Sequence, residues 1–309
     1  MAGDEARTAR AVGAAAAAGR QLGLEVREPR VLYDVFSVVV HLAPSPVVVR
    51  VPTVLPPSYA LRPEAQLAQQ RAELAVTGWL ADHGHPVVPP SPLVPREPVA
   101  REGFSMTFWQ LVEEVQTEPD TTARMAMTAK LHAVLADYTD ENLGFWAPFA
   151  TYVPDGLTAL ESLPDLLPAA DLDRARREWS TVEPIVSSRD AFEREFPGVA
   201  IQTIHGDAPF HNMITTPAGE YWADFELVTL GPVESDVALA GPDGVATYDE
   251  AAVRLGLRTS DPRALRLVEA AGSLATVACL AMAPQLPMLV GAVEPALAQW
   301  RSTPVFTGP

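Results

Sequence analysis

The chain has 309 residues, enough for two lobes and a sizeable buried core, and 48% of them are hydrophobic, as a globular protein requires. Its formal charge of −17 argues against nucleic acid or an anionic membrane as partner, since both would be repelled, and suits a cationic ligand as well as a solvated acidic surface. Cys279 is the only cysteine, which excludes an internal disulfide and a multi-thiolate metal site within one chain and makes a reducing, cytoplasmic location the expectation.

Residues 5–22 are alanine-rich and helix-prone, with Gly23 as a stop and without the leucine-rich core of a signal peptide. Two β-rich runs follow, 31–40 and 46–51, joined by Ala-Pro-Ser-Pro; they predict antiparallel sheet. A helix is predicted over 63–83, burying Leu67, Leu74, Val76, Trp79 and Leu80. Prolines then crowd residues 85–98, predicting a stiff, extended crossing rather than helix. The aromatic run 104–112 is β-compatible. Helical spacing recurs over 123–138 through Met127, Leu131, Val134 and Leu135, and helices are predicted over 171–179 and 183–196.

Residues 204–226 read IHGDAPFHNMITTPAGEYWADFE. Asp207 precedes Asn212 by five positions, and Asp224 follows a Pro-Ala-Gly turn, so two short strands are expected to bring the three side chains to one edge. Phosphoryl transfer from a nucleotide needs a carboxylate to orient and deprotonate the accepting hydroxyl, and hard oxygen ligands to hold magnesium against the phosphates. Asp207 suits the first task, Asn212 and Asp224 the second. A second arrangement of the same residues is a transition-metal hydrolase site built on His205, Asp207 and His211.

After this segment, helices are predicted over 248–255, 262–282 and 290–300. The charge-free run 270–293 is long enough to cross a bilayer, but Pro284 and Pro287 interrupt it and predict two buried helical pieces. There is no Walker A loop, no zinc-like cysteine spacing and no internal repeat.

His205-Gly206-Asp207, Asn212 and Asp224-Phe225-Glu226 together resemble the catalytic segment of the aminoglycoside phosphotransferase and choline kinase-like family. Gly231-Pro232 and Asp236-Val237-Ala238 resemble the family's downstream element, which fastens the catalytic loop to a helix. The resemblance implies an α+β, protein kinase-like two-lobed fold: a small antiparallel-sheet lobe over 1–108 and a larger, mainly helical lobe over 109–309.

It implies roles as well. The loop over the phosphates would be residues 33–37, which hold no glycine, so that backbone amides or the Ser37 hydroxyl would reach phosphate. Arg50 stands where the family has its strand lysine, and a guanidinium can grip phosphate bidentately. Glu73, with Glu64 as the fallback, would pair with it. Gln110 and Val112 would meet the base through their main chain, and His132 matches a Leu-His helix position expected to be packed rather than catalytic. The implied activity is transfer of the γ-phosphate of ATP or GTP, with magnesium, to a small-molecule hydroxyl. An aminoglycoside or other cationic antibiotic is a candidate acceptor; Glu234, Asp243, Asp249, Glu250 and Glu269 are acidic positions that would meet one, while a solvated face accounts for most such carboxylates and none of the five stands out. The alternative is a kinase-like nucleotide binder that has lost efficient chemistry, suggested by Arg50 and the glycine-free loop.

Overall fold

The computed structural model describes residues 2–209 and 212–309, leaving out the side chains of residues 2–4, 147 and 148. His211, one arm of the metal-hydrolase arrangement, lies outside the described residues. In chain order the first elements are α1 (Ala2–Gln21), β1 (Val26–Asp34), β2 (Ser37–Pro44), β3 (Val47–Pro52), α2 (Pro57–Leu61), α3 (Pro63–Asp82), β4 (Val99–Arg101) and β5 (Phe104–Gln110). Then come α4 (Thr121–Leu135), α5 (Ala147–Leu160), α6 (Ala169–Val186), α7 (Arg189–Glu195) and β6 (Gln202–Ile204). The hairpin β7 (Met213–Thr216) and β8 (Gly219–Trp222) is followed by β9 (Thr229–Gly231), α8 (Glu234–Val237), α9 (Gly241–Arg254), α10 (Pro262–Cys279) and α11 (Leu289–Ser302).

The chain divides into two compact units. The first comprises Met1–Leu55, Tyr59–Thr117 and Met213–Glu226; the second comprises Pro56–Ser58, Glu118–Asn212 and Leu227–Pro309. In the first, five strands run in the order β1-β2-β3-β5-β4, every pair antiparallel. Directly opposed residues share a face, so the register defines two. Val38, Val40, Leu42, Val47, Val49, Val51, Met106 and Phe108 form one face, and the alanines of α1 (Ala11, Ala14, Ala15, Ala18) pack on it with almost no exposure. Alanine is the best helix former and its short side chain lets the helix lie close to the valines. On the other face Val39 is opposite Arg50, Arg50 opposite Thr107, and Val48 opposite both His41 and Trp109. That face carries the charged residues considered below.

The second unit is mainly helical. Its largest core gathers Trp146, Val153, Leu157, Trp179, Val182 and Phe192 with the apolar side of α10 and Trp300. Pro262–Met282 is long and apolar enough to cross a membrane, but half of its most apolar window is buried inside this unit. The run after it ends in the separate helix α11, as the interrupting prolines predict, but α11 is mostly exposed and buries only Leu289, Leu297 and Trp300.

Several boundaries differ from the sequence expectation. β1 begins at Val26, five residues before its apolar run, because as an edge strand it is exposed along most of its length and so lacks a hydrophobic signal. The helix expected over 183–196 is two: α6 ends at Val186, and Ser188 starts α7 by accepting a hydrogen bond from the Ala191 N–H. α5 was not among the predicted helices; it holds Pro154 inside it, a residue that disfavours helix interiors.

Candidate active site

The first unit holds Arg50, Glu73, Asp224 and Glu226. Arg50 projects from β3 and is buried. Its guanidinium donates to Glu73 on α3 and to Glu226, and one nitrogen lies 3.3 Å from Asp224. One guanidinium therefore meets three carboxylates, which its planar fork of donors allows. Glu73 is 1% exposed, and its Oε1 has no hydrogen-bond partner among the described residues. Burial pushes the Glu73 carboxyl up to about 8; neighbouring Asp224 and Glu226 push the same way, and Arg50 opposes them. The same three carboxylates outweigh burial at Arg50 and hold it charged. Asp224 and Glu226 are by contrast 42% and 44% exposed. Asp224 has a φ of +57°, a left-handed conformation that Asp tolerates better than most residues and that is commonest where a side chain must be aimed.

Next to Arg50 on the same sheet face lies an apolar strip. Val48, Trp109 and Leu74 pack with Val112, Ile214 and Ala223, the last two supplied by the β7–β8 hairpin and the residue after it. Gln110 donates its N–H to Pro89 (3.0 Å), while the Leu111 N–H donates to Pro46 (3.1 Å). Val47 and Gln110 are thus a non-hydrogen-bonded pair, which leaves the Gln110 carbonyl outside the β3–β5 ladder. No described hydrogen bond uses the Val112 N–H. Ser37 opens β2, 8% exposed, and its carbonyl accepts from Val35. A cavity of about 630 Å³ adjoins Gln110 and Val112 and is lined also by His85, Val87, Glu113 and Tyr221. Arg50, Glu73 and Asp224 do not line it.

The second unit, described by itself, holds Asp207 and Asn212. The Asn212 side-chain amide donates to the Asp207 carbonyl (2.6 Å) and to Asp207 Oδ2 (2.9 Å). That bond orients the carboxylate and uses the Asn212 side-chain nitrogen. Asp236 holds the same loop from behind: its Oδ2 accepts the His205 N–H (2.9 Å) and a hydrogen bond with His132 Nε2 (2.9 Å), and its Oδ1 accepts the Gly206 N–H (2.8 Å). Against the cost of burial, the His132 hydrogen bond and the charges of His132 and His205 keep the Asp236 carboxyl below the usual aspartate range. His132 is buried and its other ring nitrogen meets the Tyr248 hydroxyl at 2.8 Å, a packed role as the sequence suggested. Gly206 has a φ of +89°, and a Cβ there would stand 2.1 Å from the Leu227 carbonyl oxygen. The loop can make this approach only with glycine.

Arg50, Glu73 and Asp224 thus meet one another, as do Asp207 and Asn212. Sequence reasoning missed Glu226 as a partner of Arg50, and it missed the strip formed by Val48, Ile214 and Ala223. Glu226 was visible in the motif; the strip was not, because its members come from three separate segments. Among the described residues no group of three or more His, Cys, Asp or Glu has metal-holding geometry.

An antiparallel sheet bearing a buried Arg–Glu pair, together with a helical unit bearing an Asp–Asn loop braced by a helix aspartate, defines the protein kinase-like phosphotransferase fold. The Phosphotransferase enzyme family is matched by residues 36–268, and the chain belongs to that family. Among solved structures it is similar to choline kinase LicA from Streptococcus pneumoniae, with a TM-score of 0.65, 13% identity and coverage of 93% of this chain and 98% of that one. It is similar to a choline/ethanolamine kinase family protein from Mesorhizobium loti, with a TM-score of 0.57, 16% identity and coverage of 98% and 96%. The streptomycin–ATP–APH(2'')-IIa ternary complex matches with a TM-score of 0.54, 15% identity and coverage of 91% and 94%. No curated protein matches the sequence.

Proposed function

We propose that this chain transfers the γ-phosphate of ATP or GTP to a hydroxyl of a small molecule, with Asp207 as the general base. The observation that carries the reading is the Asn212–Asp207 hydrogen bond within a loop braced by Asp236, in a chain of the phosphotransferase family. A base must be held in one orientation to take a proton at the moment of attack, and this loop holds it. Arg50, fixed by Glu73, would grip the phosphates, and the strip beside it would take the base, met by the Gln110 carbonyl and the Val112 N–H. Ser37 would lie at the phosphate end. Asn212 and Asp224 would hold magnesium; the fit is supported by the hard amide and carboxylate oxygens these residues carry and by the excess of carboxylate over guanidinium around Asp224. A bound magnesium ion supplies neutralisation of the phosphate charge.

The acceptor in this reading is a cationic hydroxylated amine, an aminoglycoside-like antibiotic included, and the protein works in the cytoplasm. The charge of −17 supports the first and the single cysteine the second. The similar structures act in this direction as well, since one holds streptomycin and ATP and others are choline kinases. A panel of hydroxylated amines and antibiotics, scored for phosphorylated product with wild type and Asp207→Asn, tests the proposal. Product from the wild type should fall by about two to four powers of ten in the variant. Equal product from both would remove Asp207 as the base; nucleotide binding with no product from any acceptor would favour the binding-protein alternative.

A further inference from the structure

The turn at residues 35–36, between β1 and β2, contains no glycine, and its acceptors are all occupied from neighbouring segments. Arg7 on α1 donates from Nη1 to the Val35 carbonyl (2.9 Å) and the Thr53 hydroxyl (2.9 Å), and from Nη2 to Asp34 Oδ1 (2.6 Å). Thr8 donates to the other Asp34 oxygen. The Phe36 carbonyl accepts the N–H groups of Thr53 (3.0 Å) and Val54 (2.9 Å). No described hydrogen bond uses the Phe36 N–H, which leaves a donor at the tip. Arg7 is itself held in place, because the following turns of its helix pack their alanines on the sheet.

The register places this turn relative to Arg50. Val39 is opposite Arg50 and Ser37 opposite Pro52, so the turn begins one two-residue step, about 7 Å, further along the strands. A triphosphate gripped by Arg50 reaches that far. Two things then matter at the turn: that its backbone is fixed with the Phe36 N–H outside any described hydrogen bond, and that the charge of Asp34, which its pairing with Val38 places on the α1 face of the sheet beside the turn, is neutralised where an anion approaches. Arg7 does both.

Resting on the phosphotransferase reading, we propose that Arg7 is a positioning residue for the nucleotide: it fastens the β1–β2 turn and cancels the charge of Asp34, supplying by tethering what a glycine-rich loop supplies by conformational freedom. The test is calorimetric titration of magnesium-ATP, magnesium-GTP, adenosine and guanosine into wild type, Arg7→Ala, Arg7→Lys and Arg7→Ala/Asp34→Asn. Arg7→Ala should weaken the triphosphate about tenfold, the scale of a charge-assisted contact, and leave the nucleoside within about twofold. Arg7→Lys keeps a cation beside Asp34 and should retain most of the affinity, and the double variant should recover part of it. Equal weakening of triphosphate and nucleoside would reduce Arg7 to a merely structural part and overturn the proposal, as would unchanged triphosphate affinity. Amide exchange on the wild type gives a second measurement should Arg7→Ala not fold: triphosphate should protect residues 34–37 and nucleoside should not, and absent protection also overturns it. A wild type that binds neither triphosphate overturns the phosphotransferase reading itself.

Discussion

Replacing Arg50 by methionine keeps an unbranched side chain on β3 and removes the cation that Glu73 contacts. Breaking a buried ion pair costs about 3–5 kcal/mol when it strands a charge, but Glu73 has an escape, since burial already pushes its carboxyl up to about 8. A carboxyl raised above its ordinary value of 4.5 favours the fold fully below that value, and this contribution is lost as pH rises through about 8. Without Arg50 the attraction opposing the rise is gone, so the carboxyl keeps its proton to still higher pH. At pH 6 the variant therefore buries a neutral, poorly satisfied group, at about 1–3 kcal/mol. At pH 9 the cost moves toward the ion-pair figure. The contacts with Asp224 and Glu226, both well exposed, add at most about 1 kcal/mol each. Urea denaturation at pH 6 and pH 9 should show a loss of about 2 kcal/mol growing to about 4 kcal/mol, and adding Glu73→Gln should flatten that pH dependence. A loss equal at both pH values, or a double variant as steep as the single, would refute the account.

Gly206→Ala forces a Cβ against the Leu227 carbonyl in a left-handed conformation; activity should be lost, with thermal melting several degrees lower. A melting temperature within a degree of wild type would contradict the close approach. Asp236→Asn puts an amide where two backbone N–H groups and His132 converge and should cost about 2 kcal/mol at pH 7. Because the wild-type carboxyl is depressed, its contribution is present above the ordinary aspartate value and lost as pH falls through the folded one, so the gap should narrow toward pH 3 in parallel thermal melts. Asp224→Asn preserves a residue that tolerates the positive φ, so the fold should stand while magnesium-dependent nucleotide affinity falls at least tenfold by titration; unchanged dependence would remove Asp224 as a ligand.

The candidate catalytic segment was legible because its residues lie within 23 positions and the chemistry proposed for them constrains their spacing. Arg50 and Glu73 were legible only through the resemblance, since nothing local distinguishes a strand arginine that seeks a partner on α3 from one at a solvated edge. The fastening of the β1–β2 turn was not legible, because it depends on Arg7, on a helix 28 residues earlier than the Val35 carbonyl it holds. Val48, Ile214 and Ala223 gave no signal at all, because an apolar strip assembled from β3 and the β7–β8 hairpin has no periodicity within any one segment.

The charges around Arg50 also differ from those of a balanced structural ion pair. A structural pair gains most when opposite charges balance and every lone pair is satisfied. Here one guanidinium faces three carboxylates, and Glu73 Oε1 has no partner among the described residues. The fold tolerates the excess because Glu73 can hold a proton and the other two reach solvent. A nucleoside triphosphate brought to Arg50 would add several more negative charges to a cluster that already carries a surplus. It can enter favourably only together with compensating positive charge, and hard carboxylate oxygens select a small divalent cation for that part. In the proposed function, nucleotide affinity is therefore tied to magnesium by the charge of the site itself.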